Sequence, residues 1–411
     1  MTQITPVLLG GDIGVYAIAR EFFEAFGTTS ICLTSNPIPA ITQSAICEVR
    51  PLANTHDPQM VKRAFVDLEN EVSDGVFVTM ANFDATAHTL ATLAPELSDR
   101  WVVPFPDLTT MNRVSDKQKF YEDCAELGID IPRTQVVDFA NADSDEWQVP
   151  QTSIPFPLVA KTSSSAAYAE TKFAGKKKIY FIEDQAELDR LWGALKHAGF
   201  RSTFLLQELI PGGNTAMRSV TAYVDSNGEV TMLASAHVLL EDHLPTMIGN
   251  PVAMITQPFN DLFESARKYL QHVGYRGFAN FDVKVDPRTG REVFFEVNPR
   301  IGRNSYYVAA GGVNPMEIMV RDHVFGESLP LRVMDREILY SLVPFRLLTK
   351  YVQESDLSER IHVLKREKKI FDPLFSTFEK SVRRNMMVRL QKLNHFRKFA
   401  QYYPKPTDTS Y

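Results

Sequence analysis

Two strand-forming runs, GFANFDVKV from Gly277 and EVFFEVN from Glu292, flank a DPRTGR turn. β-Branched and aromatic residues alternating on both sides of such a turn predict an antiparallel hairpin. Residues two apart on a strand share a face, so Phe294, Glu296 and Asn298 are expected on one side. Val293, Phe295 and Val297 are expected on the other. Asp282 then falls opposite Glu296, to within a residue of register. Two facing carboxylates repel unless a cation lies between them, and a neighbouring amide adds another hard oxygen donor. The plain alternative is the solvated face of an amphipathic hairpin. The second strand, however, runs straight into Arg300 and Arg303.

Upstream the pattern is different. PVLLGGDIGVYAIAREFFEAFG reads as a strand, a glycine turn and an amphipathic helix. TSICLTSN, SDGVFVTMAN and RWVVPFPD supply three more strands, with helical segments such as DPQMVKRAFVDLENEV between them. Strands alternating with helices specify βαβ units and a parallel sheet. SDKQKFYEDCAELGIDIPRT predicts a capped helix from about Ser115 to Gly128, leading to a strand. Beyond it lie a strand ending at Lys161, a small-residue loop, a basic trio and a run of antiparallel strands with a DSNGE hairpin turn. The expected fold class is therefore α/β, with α+β character after the first unit. Its parts are a parallel unit over 1–112, a larger unit over 113–330 with a subdomain near 130–205, and a helical basic extension over 331–411.

Net charge is −6 and the pI about 5.9, which excludes nucleic-acid binding by bulk electrostatics. Three cysteines without CxxC spacing argue against a disulfide framework or a structural zinc site. The N-terminus lacks a signal-peptide pattern and no apolar run is long enough to span a bilayer, so a cytoplasmic protein is expected. The last 80 or so residues depart from the acidic average, with Lys and Arg outnumbering Asp and Glu. They read either as a helical appendage packed on the acidic body or as a surface for an anionic partner, a phosphorylated substrate or peripheral membrane headgroups.

Four features outside the hairpin carry chemistry. Lys117 opens a helix, and Lys161 ends the apolar run PLVA, where an ammonium must meet an anion or snorkel. The loop TSSSAAYAETKFAGKKK offers small residues and hydroxyls that could cover phosphates. FLLQELIPGG ends a strand at Gln207 and Glu208 before a Pro-Gly turn, an edge able to read an adenine ring. In this order, followed by Asp282 and FFEVNPR, the features resemble the ATP-grasp superfamily of carboxylate–amine ligases over roughly residues 113–325.

The resemblance implies ATP as cosubstrate and Mg2+, or Mn2+, held by Asp282, Glu296 and Asn298. It implies phosphate contacts from Lys117, Lys161 and the loop residues Ser163, Ser164 and Ser165. Adenine contacts would come from Gln207, Glu208, Leu209 and Ile210. Asn214 stands where the family often carries an acidic ribose ligand. Arg300, with Lys161, would stabilise the transferred phosphoryl group, and Arg303 and Asn304 would hold a substrate carboxylate. The N-terminal segment is similar to that of D-aspartate ligases, which places Gly10, Gly11 and Asp12 on the substrate side. The partners implied are an amino acid and an amine acceptor such as a nucleotide-linked cell-wall peptide. A homo-oligomer stays open, and the loop 163–178 is expected to close over nucleotide.

Three rival readings remain to be set against these residues. A dinucleotide site at LLGGDIG lacks GxGxxG spacing and the acid that should end the second strand. A non-catalytic nucleotide-binding module would be expected to have lost a metal ligand or a phosphate lysine. An L-amino-acid dipeptide ligase or small-amine ligase of the same fold remains open, since nothing in the sequence reads the acid's side chain or chirality.

Overall fold

The computed structural model describes residues 2–144, 146–163, 168, 171–177 and 179–407. The first unit is a parallel sheet of β1 (Ile4–Leu9), β2 (Ser30–Thr34), β3 (Cys47–Pro51), β4 (Val76–Ala81) and β5 (Trp101–Val102), in the order β3-β2-β1-β4-β5. β3 was not expected from the sequence. CEVRP is short, partly exposed and proline-ended, as suits an edge strand, and it carries little hydrophobic signal. At the C-terminal end of β1 the chain turns at Gly10, with φ +125°, into the helix Ile13–Phe26. Asp12 caps that helix by accepting from the N–H groups of Gly14 and Val15. Gly27, at φ 66°, closes it.

The second unit is a four-stranded antiparallel sheet, β6 (Thr134–Asp138), β7 (Leu158–Thr162), β8 (Ile179–Ile182) and β9 (Thr203–Glu208), in the order β6-β9-β7-β8. It has its own core, with Phe139, Trp192, Phe200 and Phe204 buried together.

The third unit is built on the large sheet, whose strands run β14-β13-β10-β11-β12-β16-β17. These are β10 (Met217–Val224), β11 (Val230–Glu241), β12 (Pro251–Thr256), β13 (Gly277–Val285), β14 (Glu292–Asn298), β16 (Leu339–Ser341) and β17 (Ile370–Phe371), with β15 (Arg332–Val333) paired beside β11. One face packs the helices Lys117–Glu126 and Asn260–His272 through Phe120, Tyr269 and Phe281. The other face shares a core with the first unit, in which Tyr16, Met254, Tyr307 and Met319 are buried together. The helix predicted from Ser115 starts two residues later, because Asp116 caps it and a separate helix, Leu108–Ser115, ends there.

The C-terminal segment is helical and also contributes β15, β16 and β17. It is docked on the first unit by a buried pair, Arg384 and Glu379, 3.4 Å apart and both 0% exposed. Glu379 accepts from Tyr16 Oη at 3.0 Å and from the Ala45 N–H at 3.1 Å. Arg384 donates to the carbonyls of Ala40 and Leu374. These hydrogen bonds offset much of the pair's desolvation, although Arg384 Nη2 finds no partner among the described residues.

Candidate active site

The ladder of β13 and β14 places Asp282 directly opposite Glu296 and Asn280 opposite Asn298. Between Asp282 and Val283 the register slips and Phe295 is left as the extra residue of a bulge. The slip corrects the expected alternation. Phe294 turns into the core against Phe281, ring centroids 5.9 Å apart, instead of sharing a face with Glu296. Burial, and then the Glu296 carboxylate, push the Asp282 carboxyl up to about 8. Asn298 Nδ2 donates to Asp282 Oδ2 at 3.4 Å.

Lys117, the first residue of its helix, reaches Glu296 Oε2 at 2.6 Å. Burial alone would lower this ammonium, but the Glu296 carboxylate outweighs it and holds the group above its ordinary value. One turn on, Tyr121 Oη donates to the Phe295 carbonyl at 2.8 Å and accepts from Lys161 Nζ at 3.1 Å. Tyr121 therefore joins Lys161 to the bulge, next to the residue that holds Lys117. It was missed in the sequence, although its four-residue spacing from Lys117 puts both on one helical face.

The adjoining wall comes from β9. Gln207 is buried and donates to Thr134 Oγ1 at 2.8 Å. The Glu208 carboxylate accepts from the Arg133 N–H, from Arg133 Nε and from Arg291 Nη1, at 3.0–3.2 Å. Burial raises this carboxyl, and those donors more than reverse it, so it is held below its usual range. Because Arg291 belongs to the hairpin turn, Glu208 ties the four-stranded sheet to β13 and β14. Leu209 is half-buried and Ile210 buried. Asn214, on a single turn before β10, accepts from the Glu241 N–H at 2.8 Å. Glu241 and Lys284, which no motif marks in the sequence, are pushed by burial up to about 7 and down to about 8. Ser163 Oγ donates to the Thr203 carbonyl, while Ser164, Ser165 and much of the loop expected to close lie outside the described residues.

The opposite wall is a seam between the first unit and the segment after β14. Arg303 Nε donates to Asp12 Oδ2 at 2.7 Å, and Arg300 Nε to Asp84 Oδ1 at 3.0 Å. Asn82 Nδ2 also donates to Asp12, at 3.0 Å. Gly11 and Gly14 allow the close approach. A Cβ on Gly11 would lie 2.6 Å from Thr34 Oγ1, and one on Gly14 would strike the Asn82 amide and come within 3.0 Å of Arg303 Cα. Asn304 is buried, with Nδ2 3.1 Å from Met254 Sδ, so it packs behind Arg303. Ser305 Oγ donates to Glu21 Oε1 at 3.0 Å. The two walls share one electrostatic field: the Arg300 charge acts on Asp282, and the Asp84 charge acts on Lys117.

The ATP-binding domain of the carbamoyl-phosphate synthase L chain matches residues 116–321, half of the chain, including the hairpin, both lysines, β9 and the two seam arginines. The chain belongs to the ATP-grasp family. A D-aspartate ligase of Enterococcus faecium is 29% identical over 98% of this chain and 97% of its own length. Among solved ATP-grasp structures, N5-carboxyaminoimidazole synthetase of Staphylococcus aureus, complexed with ADP, superposes with a TM-score of 0.58 at 15% identity, covering 87% of this chain and 86% of that one. The L-amino acid ligase of Bacillus licheniformis gives 0.53 at 15% identity, covering 79% and 75%. As an ATP-grasp protein, the chain is an ATP-dependent ligase of the carboxylate–amine type. No helix among the described residues is long and apolar enough to cross a membrane.

Proposed function

We propose that the chain ligates D-aspartate to the amine of a cell-wall precursor peptide, with ATP converted to ADP and phosphate. The observation that carries this reading is the extent of the similarity to the D-aspartate ligase. It runs through the first unit and the C-terminal segment, not only through the ATP-binding domain.

The residues fit a magnesium ion. Two carboxylates opposite each other and an amide oxygen are hard donors, and the raised Asp282 carboxyl marks a place where a second negative charge lacks compensation. Asp282, Glu296 and Asn298 would hold it, and when bound it supplies charge neutralisation for the ATP phosphates. Lys117 now balances Glu296 and would turn toward phosphate. Lys161, steered by Tyr121, and Arg300 would stabilise the phosphoryl group as the substrate carboxylate attacks γ-phosphorus and ADP leaves. The amine then attacks the acyl carbon, phosphate departs, and the nitrogen loses its proton.

Asp12 and Arg303 support an amino acid as the acid substrate. They neutralise each other across 2.7 Å, and a zwitterion can replace that contact charge for charge, ammonium to Asp12 and carboxylate to Arg303. The test is phosphate release from Mg-ATP with acids and amines offered in pairs. D-Aspartate with the precursor peptide is expected to drive it. Release with free L-amino acids alone would overturn the D-aspartate reading and make the chain a dipeptide ligase.

A further inference from the structure

The C-terminal helix Val382–Tyr402 has two faces that do different work. Arg384, Val388, His395 and Phe399 are buried against the body of the protein. On the outer side Val382 is 82% exposed, Met386 56%, Leu390 59% and Leu393 54%, with Phe396 beside them at 40%. Spacings of four, four and three residues put the first four in one stripe along a helix of 21 residues, about 30 Å long. Large apolar side chains exposed in a continuous row are a cost unless something covers them.

The charges say what does. The helix carries six Lys and Arg and no Asp or Glu. Its inward basic groups have partners in the protein: Arg384 with Glu379, Lys392 with Asp372 and Lys398 with Asp242. Arg383 and Arg389 lie on the two sides of the apolar stripe and Arg397 continues it toward the C-terminal end; all three are exposed, and among the described residues no carboxylate pairs with them. A second copy of the helix is a poor cover, because a two-fold contact would bring arginine against arginine.

We infer that this outer face lies on an anionic lipid surface, with the apolar stripe at the headgroup boundary and the three arginines among the headgroups. Apolar residues in a row, basic flanks and no acid are what an interfacial helix requires, and this one already has its opposite face anchored by the fold. The inference is independent of the substrate assignment.

The test is co-sedimentation of the full-length protein with vesicles of phosphatidylcholine alone and of phosphatidylcholine mixed with phosphatidylglycerol, at low and high salt. Binding to the mixed vesicles only, weakened by salt, is expected. Replacing Arg383, Arg389 and Arg397 together by Ala should weaken it about a hundredfold, at about fivefold per charge. Leu390→Asp with Leu393→Asp should abolish it. Both variants alter exposed side chains, so their melting temperatures should stay with the parent. Failure to bind mixed vesicles, or binding that survives both variants, overturns the inference. So does a dimer that the Leu390→Asp, Leu393→Asp variant dissociates, or a soluble polyanionic peptide whose binding alone depends on the arginines.

Discussion

The hairpin and the seam act on each other's charges as two walls of the candidate site and are held together in opposite ways. On the hairpin, Asp282 and Glu296 face each other because ladder hydrogen bonds between adjacent strands leave them no alternative. On the seam, Arg300–Asp84 and Arg303–Asp12 join residues 216 and 291 positions apart. These contacts exist only while the first unit stays docked on the segment after β14. On the function proposed above, the hairpin would be a preorganised seat for charge, and the seam the wall that yields to a substrate. The difference predicts which kinetic constant each wall controls.

Glu296→Gln should have the largest effect. It removes one of the two facing carboxylates and the partner of Lys117 while the strand ladder is retained. Turnover should fall by about a hundredfold to a thousandfold, with a folded protein by circular dichroism. Unchanged ADP formation would remove the hairpin from the chemistry.

Arg303→Ala tests the seam. Losing a charged contact to a substrate carboxylate should raise the KM for the acid by about tenfold to a hundredfold, leaving the KM for ATP within about twofold. Arg303→Lys should recover only part, since an ammonium lacks the guanidinium fork. If both KM values rose together, the two walls would not be separable and the comparison would fail.

The same contrast of range explains what the sequence reveals. Asp282 and Glu296 are legible because a turn and a two-residue period fix their register. The bulge at Phe295 is not, since nothing local announces an extra residue, and so Phe294 is placed on the wrong face. The order Lys117, Lys161, Gln207, Glu208 marks the family, yet the link from Glu208 to Arg291 appears only when β9 meets the hairpin turn. Asp84 and Glu21 carry no signal at all. Each is an ordinary helical carboxylate until a partner arrives from more than two hundred residues away.

Glu21 gives the smallest effect and the finest test of the seam. It is 0% exposed, and Oε2 has no hydrogen-bond partner among the described residues. Burial pushes its carboxyl up to about 8, with Ser305 and Arg20 opposing and Glu24 adding to the rise. The unfolded chain releases this proton near pH 4.3, so the folded state holds a proton that the unfolded state has lost. The contribution to stability is therefore full below about pH 4.3 and is lost as pH rises toward 8. Glutamine carries no charge at any pH. Glu21→Gln should match the parent near pH 4 and exceed it increasingly as pH rises to 9, seen as a higher melting temperature. Asp282 and Glu241 titrate in the same direction, but they are present in both proteins and cancel in the difference. Parallel stability curves from pH 5 to 9 would mean that Glu21 is solvated in solution, and that the seam is looser than the contact with Ser305 implies.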